Sequence, residues 1–298
     1  MRRFRKTYVE ITNVCDLACD FCRPTSRPPR FMDRQLFADI LAQMRDIAGL
    51  LHFHVMGEPL LHPEVGVFLD LCHESGHRVN LITNGRCLPR LREVFAHKPA
   101  LRQVSVSAHS LVGTAAAPAL DAYFGDIADI VRAAGPSAPA LSLRMWTMVP
   151  GIVDERYAGI LRAIEEAFEV RTSLADALRK ARSVQIAPFV YINCASRFEW
   201  PDLDSTECGA QGHCLGLRDQ CAILSDGTVV PCCLDRNGTI ALGNVRERPV
   251  TEILAGDRAC AIREGFARGE VVEELCRKCS YRLRFSGRGS EPPTPLAP

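Results

Sequence analysis

The sequence predicts an α/β fold built on parallel strands, and three observations carry that expectation. Strand-like and helix-like runs alternate from Thr7 to about residue 190, giving six strand–helix steps, the pattern of parallel strands joined by right-handed crossovers. Glycine, cysteine and short polar residues collect at the C-terminal ends of those strands, where parallel barrels present their chemistry. After about Ala195 the alternation stops and short, irregular, cysteine-rich segments take over.

The elements follow from residue spacing. A β-branched and aromatic run beginning at Thr7 reads as a strand. Asp33–Ala48 carries apolar residues at helical spacing (Leu36, Phe37, Ile40, Leu41, Met44, Ile47), with Asp33 as N-cap. Leu51–Met56 is a strand, Glu64–Ser75 a helix closed by Gly76, Val79–Thr83 a strand and Leu88–Ala96 a helix. Gln103–Ala108, Leu141–Met148 and Val184–Val190 continue the strands. Pro118–Ala134, ending at Gly135, and Asp154–Val170 continue the helices. Beyond residue 195, Phe198–Gly216 is polar and irregular. Cys221–Pro231 reads as a hairpin turning at Asp226-Gly227, Thr239–Val245 as a short strand and Val250–Gly269 as a helix. Three parts result: 1–195, 196–285, and a tail, 286–298, whose Gly, Pro and Ser content predicts disorder.

Composition narrows the function. With 298 residues, 47% of them hydrophobic, and a formal net charge of +1, the chain has no basic surplus that would point to nucleic acid as a partner. No apolar run reaches the roughly 18 residues of a membrane span, and the N-terminus lacks the apolar core of a signal peptide. A cytoplasmic protein is expected. Fourteen cysteines in such a chain point to metal or redox chemistry, not disulfides.

The cysteines form two sets. Cys15, Cys19 and Cys22 have C-x3-C-x2-C spacing on the loop leaving the first strand, with Phe21 just before the third. Tetrahedral zinc wants four protein ligands. A [4Fe–4S] cluster held by three thiolates keeps one iron open for a small chelating molecule. The second set is Cys214-x17-Cys232 around the hairpin and Cys276-x2-Cys279, which suits a fully enclosed cluster or zinc; spacing alone does not separate the two. Cys221 is an alternative to Cys214. Cys72 and Cys87 read as ordinary thiols. Phe53 and Trp146 read as packing. His52, His54 and Met56 share strand parity with Glu58, which puts His54 first and His52 second as inward-facing candidates.

The C-x3-C-x2-C loop, with Gly57-Glu58-Pro59 one strand–helix unit later, resembles the radical SAM enzymes. Their open iron chelates S-adenosylmethionine, and one electron cleaves it to a 5′-deoxyadenosyl radical. The resemblance implies a partial (β/α)6 barrel open on one side. It implies that Gly57, Glu58 and Pro59 receive the amino group of S-adenosylmethionine, and that Phe21, Asn84, Ser105, Ser107 and Arg144 contact the rest of it. His54 and His109 are left for substrate. Cys214-x12-Gly227-x4-Cys232, Leu242-Gly243-Asn244 and Cys276-x2-Cys279 resemble the SPASM/twitch extension in its shorter form. This implies one auxiliary [4Fe–4S] cluster on Cys214, Cys232, Cys276 and Cys279, besides the cluster on Cys15, Cys19 and Cys22. An electron donor such as flavodoxin or ferredoxin is implied as partner.

Phe53-His54, Gly57–Leu61, Thr83-Asn84-Gly85 and Leu242-Gly243-Asn244 resemble, in particular, twitch enzymes acting on aminocyclitols and aminoglycosides. The expected activity is hydrogen abstraction from a carbinol carbon of a carbohydrate-like small molecule, followed by epimerisation or oxidation. The alternative is modification of a ribosomal peptide, disfavoured because the first strand begins by residue 7 and leaves no room for a leader-binding domain. Cys194, after the sixth strand where the resembling dehydrogenases place arginine, is the candidate hydrogen-atom donor, which tilts the expectation toward epimerisation. Cys260 is its rival, ahead of Cys208, Cys221 and Cys233.

Overall fold

The computed structural model describes residues 4–112, 119–146 and 155–285. The tail 286–298, and the parts of the expected elements at Pro118, Thr147-Met148 and Asp154, lie outside them.

The described chain runs β1 (Lys6–Val9), α1 (Arg34–Met44), β2 (Leu50–Phe53), α2 (Val65–Glu74), β3 (Arg78–Thr83), α3 (Leu88–His97), β4 (Leu101–Val106), α4 (Leu120–Ala134), β5 (Ala140–Met145), α5 (Ala158–Ala167), α6 (Leu174–Lys180), β6 (Ser183–Ala187), β7 (Val190–Cys194), β8 (Gln220–Ile223), β9 (Thr228–Val230), β10 (Gly243–Asn244), α7 (Val250–Ala255), α8 (Asp257–Arg268) and α9 (Glu274–Arg277). One sheet holds every strand in the order β10-β9-β8-β1-β2-β3-β4-β5-β7-β6. Its centre, from β8 through β1–β5 to β7, is parallel. The hairpin β8–β9 therefore extends the barrel sheet across β1 instead of forming a separate sheet, and β10 and β6 are left as its two edges.

Register divides the sheet into two chemically different faces. Val9, Phe53, Leu81, Val104, Leu141 and Ile192 point one way and are fully buried. They share one core with α1, whose Leu36, Phe37, Ile40, Leu41 and Met44 form its buried stripe, with Phe37 stacked on Phe68 at 4.2 Å. Each such side chain stabilises the fold by roughly 1.5–3 kcal/mol. Asp33 caps α1, its carboxylate accepting from Leu36 N–H at 2.8 Å. The opposite face carries Tyr8, His52, Asn80, Ser105, Ser142, Arg144, Tyr191 and Asn193. A polar inner face is not needed to hold the sheet; it makes a chamber.

Three expected elements differ. Val184–Val190 is not the sixth barrel strand: β6 and β7 form an antiparallel hairpin, because Pro188 removes a ladder donor and Phe189 takes φ +60°, and β7 is the parallel member. The expected strand Thr239–Val245 shrinks to β10, since the Asp235 carboxylate accepts from the Thr239 and Ile240 amides at 2.8 and 2.7 Å and holds them in a turn. The helix expected over Val250–Gly269 is two helices broken at Gly256, whose ψ of 158° is extended.

Candidate active site

The loop leaving β1 carries Cys15, Cys19 and Cys22 and is pinned by the loop leaving β2. Gly57 has φ +77°, and a Cβ there would lie 2.4 Å from the Thr12 carbonyl oxygen, so only glycine allows this approach. The next amide, Glu58, donates to the Val14 carbonyl at 2.8 Å. Pro59 then opens a single 3-10 turn, Pro59–Leu61. Cys22 N–H donates to the Cys19 carbonyl at 3.1 Å, folding the thiols into one another's field. Burial, then Cys22 and Cys15, push Cys19 up to about 11; burial likewise pushes Cys15 and Cys22 up. Thiols so crowded are poor thiolates alone and become good ones on a metal, which takes the place of the protons.

Glu58 is 2% exposed. Its carboxylate accepts from Leu60 N–H at 2.9 Å, the Thr83 hydroxyl at 2.7 Å and Asn84 N–H at 2.6 Å. Burial still pushes it up to about 7 against those donors. A carboxylate has about four acceptor positions, so one remains for an ammonium. Glu58 is thus also a clamp between the ends of β2 and β3, a role Gly-Glu-Pro does not announce. Asn84 is engaged too: its amide donates to Asp16 at 2.7 Å and its oxygen accepts from Arg86 N–H at 2.9 Å. Ser107 N–H donates to the Thr83 carbonyl at 2.8 Å, while Ser105, on the inner face, accepts from Gln103 at 2.9 Å. Phe21 packs on His109, ring centres 4.7 Å apart. His109 sits 2.8 Å from the Arg144 carbonyl through Nδ1, and burial lowers it to about 4, so it is neutral, donates from Nδ1 and offers Nε2 as acceptor.

Deeper on the inner face, Tyr8 lies 5.1 Å from His52 and 6.2 Å from His54 between ring centres. Burial holds both histidines near 3, neutral at ordinary pH. Arg144 is 7% exposed, its guanidinium carbon 3.3 Å from the Trp146 ring centre. Burial lowers it to about 10. Its Nε has no hydrogen-bond partner, and neither do His52 Nε2 and Asn80 Oδ1. Among the described residues, no carboxylate pairs with Arg144.

The second thiol set is also brought together. Cys214, Cys232, Cys276 and Cys279 line one cavity with Pro231 and Leu275. Burial, and then the neighbouring thiols, push Cys232 and Cys276 well up. Arg282, 1% exposed, draws the contributing segments together: it donates from Nε to the Cys276 carbonyl at 2.9 Å, from Nη1 to Gln211 at 2.7 Å, and from Nη2 to Cys208 at 3.1 Å and to Gly209. Nothing in the arginine-rich stretch Arg277–Arg284 singles it out. Cys221 is elsewhere, fully buried on β8 opposite Thr7.

Both candidate hydrogen-atom donors fall outside the chamber. Cys194 pairs with Met145, shares the buried face of β7 with Val190 and Ile192, and its thiol is 3.5 Å from the Arg182 carbonyl. Strand parity turns it into the helix-side core; Asn193 is the residue facing inward. Cys260 lies on α8, held locally by the Ala255 carbonyl and Arg263.

Residues 9–170 match the Radical SAM superfamily, and residues 214–280 match SPASM, an iron–sulfur cluster-binding domain. The chain belongs to the radical SAM superfamily. It is 22% identical over 286 residues, 93% of each chain, to the S-adenosyl-L-methionine-dependent 2-deoxy-scyllo-inosamine dehydrogenase of Niallia circulans. Among solved structures it is similar to BtrN in complex with AdoMet and 2-DOIA (17% identity, 94% of each chain, TM-score 0.56). It is also similar to SuiB of Streptococcus suis bound to its precursor peptide SuiA (14% identity, 93% and 71% of the chains, TM-score 0.58). As a radical SAM enzyme with a SPASM domain, the chain takes S-adenosylmethionine and two iron–sulfur clusters as cofactors. Two separate thiol groups fit that requirement, one on the β1 loop and one around a cavity, and neither converges: among the described residues no three Cys, His, Asp or Glu meet at one ion-sized point. No described helix is long and apolar enough to cross a membrane.

Proposed function

We propose that this radical SAM enzyme abstracts a hydrogen atom from a carbinol carbon of an aminocyclitol or aminoglycoside. Cys15, Cys19 and Cys22 hold the cluster that leaves one iron open. Cys214, Cys232, Cys276 and Cys279 hold the auxiliary cluster. With S-adenosylmethionine bound there, the site would supply 5′-deoxyadenosyl radical chemistry, given an electron from a donor such as flavodoxin or ferredoxin. The remaining acceptor position of Glu58 meets the ammonium of S-adenosylmethionine, while Gly57 and Pro59 shape that loop. Phe21, Asn84, Ser105 and Ser107 border the same end of the barrel.

The observation that carries the reading is the set of unpartnered polar atoms on the inner face: His52 Nε2, Asn80 Oδ1 and Arg144 Nε. Buried polar groups without partners are costly, and a hydroxyl-rich molecule offers both donors and acceptors to satisfy them. His54 and His109, neutral and pointing into the same space, add acceptors. The end-to-end similarity to a dehydrogenase of an aminocyclitol supports the same substrate class.

The test is anaerobic reconstitution followed by 5′-deoxyadenosine assay against a panel of aminocyclitols, aminoglycosides and short peptides. Stimulation by members of the carbohydrate set is expected. Stimulation by peptides alone overturns the reading in favour of peptide modification. Replacing Cys15, Cys19 or Cys22 by Ala should abolish 5′-deoxyadenosine formation in every case.

A further inference from the structure

Cys232 and Cys233 are adjacent, yet they face different places. Cys232 lines the cavity shared with Cys214, Cys276 and Cys279; Cys233 does not. Cys233 packs instead against a small cluster of Tyr8, Val55, Met56, Ala222, Leu224 and Val230, which also receives Cys22 from the β1 loop and Trp200. It is therefore a thiol standing between the two thiol groups and fronting the chamber. Tyr8, whose side chain lies on the inner face of β1, belongs to that same cluster. His52, Asn80 and Arg144, each more than nine-tenths buried, turn unpartnered polar atoms into the same chamber, an independent sign that a polar molecule docks there.

We propose that Cys233 is the hydrogen-atom donor of this enzyme, returning a hydrogen to the substrate carbon radical so that the carbinol carbon is inverted and not oxidised. The proposal rests on the substrate reading above. The step balances as follows: the carbon radical takes the hydrogen atom from the Cys233 S–H bond, forming C–H and leaving a thiyl radical. The thiyl regains the thiol with one electron from the external low-potential reductant and one solvent proton, relayed in this proposal by the Tyr8 hydroxyl of the same cluster. Hydrogen leaves toward the cysteine loop and returns from the side of the β8–β9 hairpin.

The experiment uses the anaerobically reconstituted enzyme, Cys233→Ser, Cys233→Ala and Tyr8→Phe, with Cys260→Ser as control. Iron content, the electron paramagnetic resonance of both clusters, 5′-deoxyadenosine, deuterium gained from deuterated water by the aminocyclitol and aminoglycoside panel, and freeze-quenched radical signals are followed. The wild type and Cys260→Ser should place one deuterium on the carbinol carbon. Both Cys233 variants should keep both clusters and form 5′-deoxyadenosine, lose deuterium incorporation, and accumulate a carbon-centred radical or a ketone two mass units lighter. Tyr8→Phe should incorporate deuterium in a single turnover and slow in later ones. Three results overturn the proposal: deuterium return at the normal rate in Cys233→Ser, loss of about half the iron in both Cys233 variants (which would make Cys233 a cluster ligand), or a deuterium-free ketone from the wild type. If no panel member stimulates 5′-deoxyadenosine formation, the substrate reading falls first and this proposal with it.

Discussion

Glu58 shows how one residue serves position and chemistry together. Three protein donors fix its carboxylate, and burial nevertheless pushes it up to about 7. Glu58→Gln sets an amide N–H₂ against donors that need an acceptor. Leaving one buried N–H unsatisfied costs about 1–3 kcal/mol, so a lower melting temperature and weaker binding of S-adenosylmethionine are expected, the latter measured by calorimetry. The pH dependence has a definite sign. The folded carboxyl holds its proton more tightly than the unfolded one, so the stability this gives on the acid side is lost as pH rises from about 4.5 to about 7. Relative to Glu58→Gln, the wild type should lose melting temperature as pH rises from about 4.5 to about 7, and saturating S-adenosylmethionine should flatten that difference by supplying an ammonium. Gly57→Ala is a purely steric counterpart. It meets both the left-handed φ and the Thr12 carbonyl, which should cost at least ~2 kcal/mol and weaken cluster retention on the β1 loop, read as iron per chain.

At the scale of elements, alternation and strand-end residues made the parallel sheet legible, and the Asp33 cap and the Asp226-Gly227 turn were legible from local chemistry. The β6–β7 hairpin was not, because Val184–Val190 is apolar enough to be a strand either way; only Pro188-Phe189 marks the reversal. That shift moved the inward face, and Cys194 lost its place in the chamber because strand parity is set by a start point the sequence left ambiguous. Family spacing and the place of Cys221 in the hairpin strand favour Cys214 over Cys221; what the sequence did not show is that this strand, β8, runs beside β1 with Cys221 opposite Thr7. Arg282 was invisible for a different reason: its partners are backbone carbonyls, and those of Gln211 and Cys208 lie far away in the chain. Arg282→Met should leave those carbonyls without their donor at a cost of about 1–3 kcal/mol for each buried group. The expected outcome is loss of the auxiliary cluster, roughly half the iron, with the cluster on the β1 loop retained. Unchanged iron would show that Arg282 does not organise that site.

At the scale of the whole molecule, the loop after Cys22 and the loop after Cys233 are tied into one unit. Arg236, nearly buried, donates to the Pro24 carbonyl at 3.1 Å and to the Pro201 carbonyl at 2.7 Å, and pairs with Asp202. Its own carbonyl accepts from Thr25 at 3.0 Å and from Arg27 at 2.8 Å. Arg27 continues to Glu10 at 2.7 Å, and Glu10 accepts from Ser225 at the β8–β9 hairpin. The same acid also receives the Met56 amide at 3.2 Å, from the end of β2. The two thiol groups are therefore positioned by one connected polar network with an ion pair at each end, Glu10 being the fully buried partner, and removing its central donor leaves backbone acceptors unsatisfied at about 1–3 kcal/mol for each buried one. Arg236→Ala is expected to lower the melting temperature and to loosen both thiol-bearing loops at once, so that the magnetic resonance spectra of both clusters broaden together. It should also raise 5′-deoxyadenosine formation without product, because abstraction then fires with the substrate carbon out of place. Thr25→Ala removes a hydroxyl that donates to the Arg236 carbonyl and to Asn237 Oδ1 and accepts from Arg27 N–H, and should show the same uncoupling in weaker form. If Arg236→Ala alters only the auxiliary-cluster signal and leaves the ratio of 5′-deoxyadenosine to product at the wild-type value, the network is a brace for the C-terminal region alone and does not register the two sites against each other.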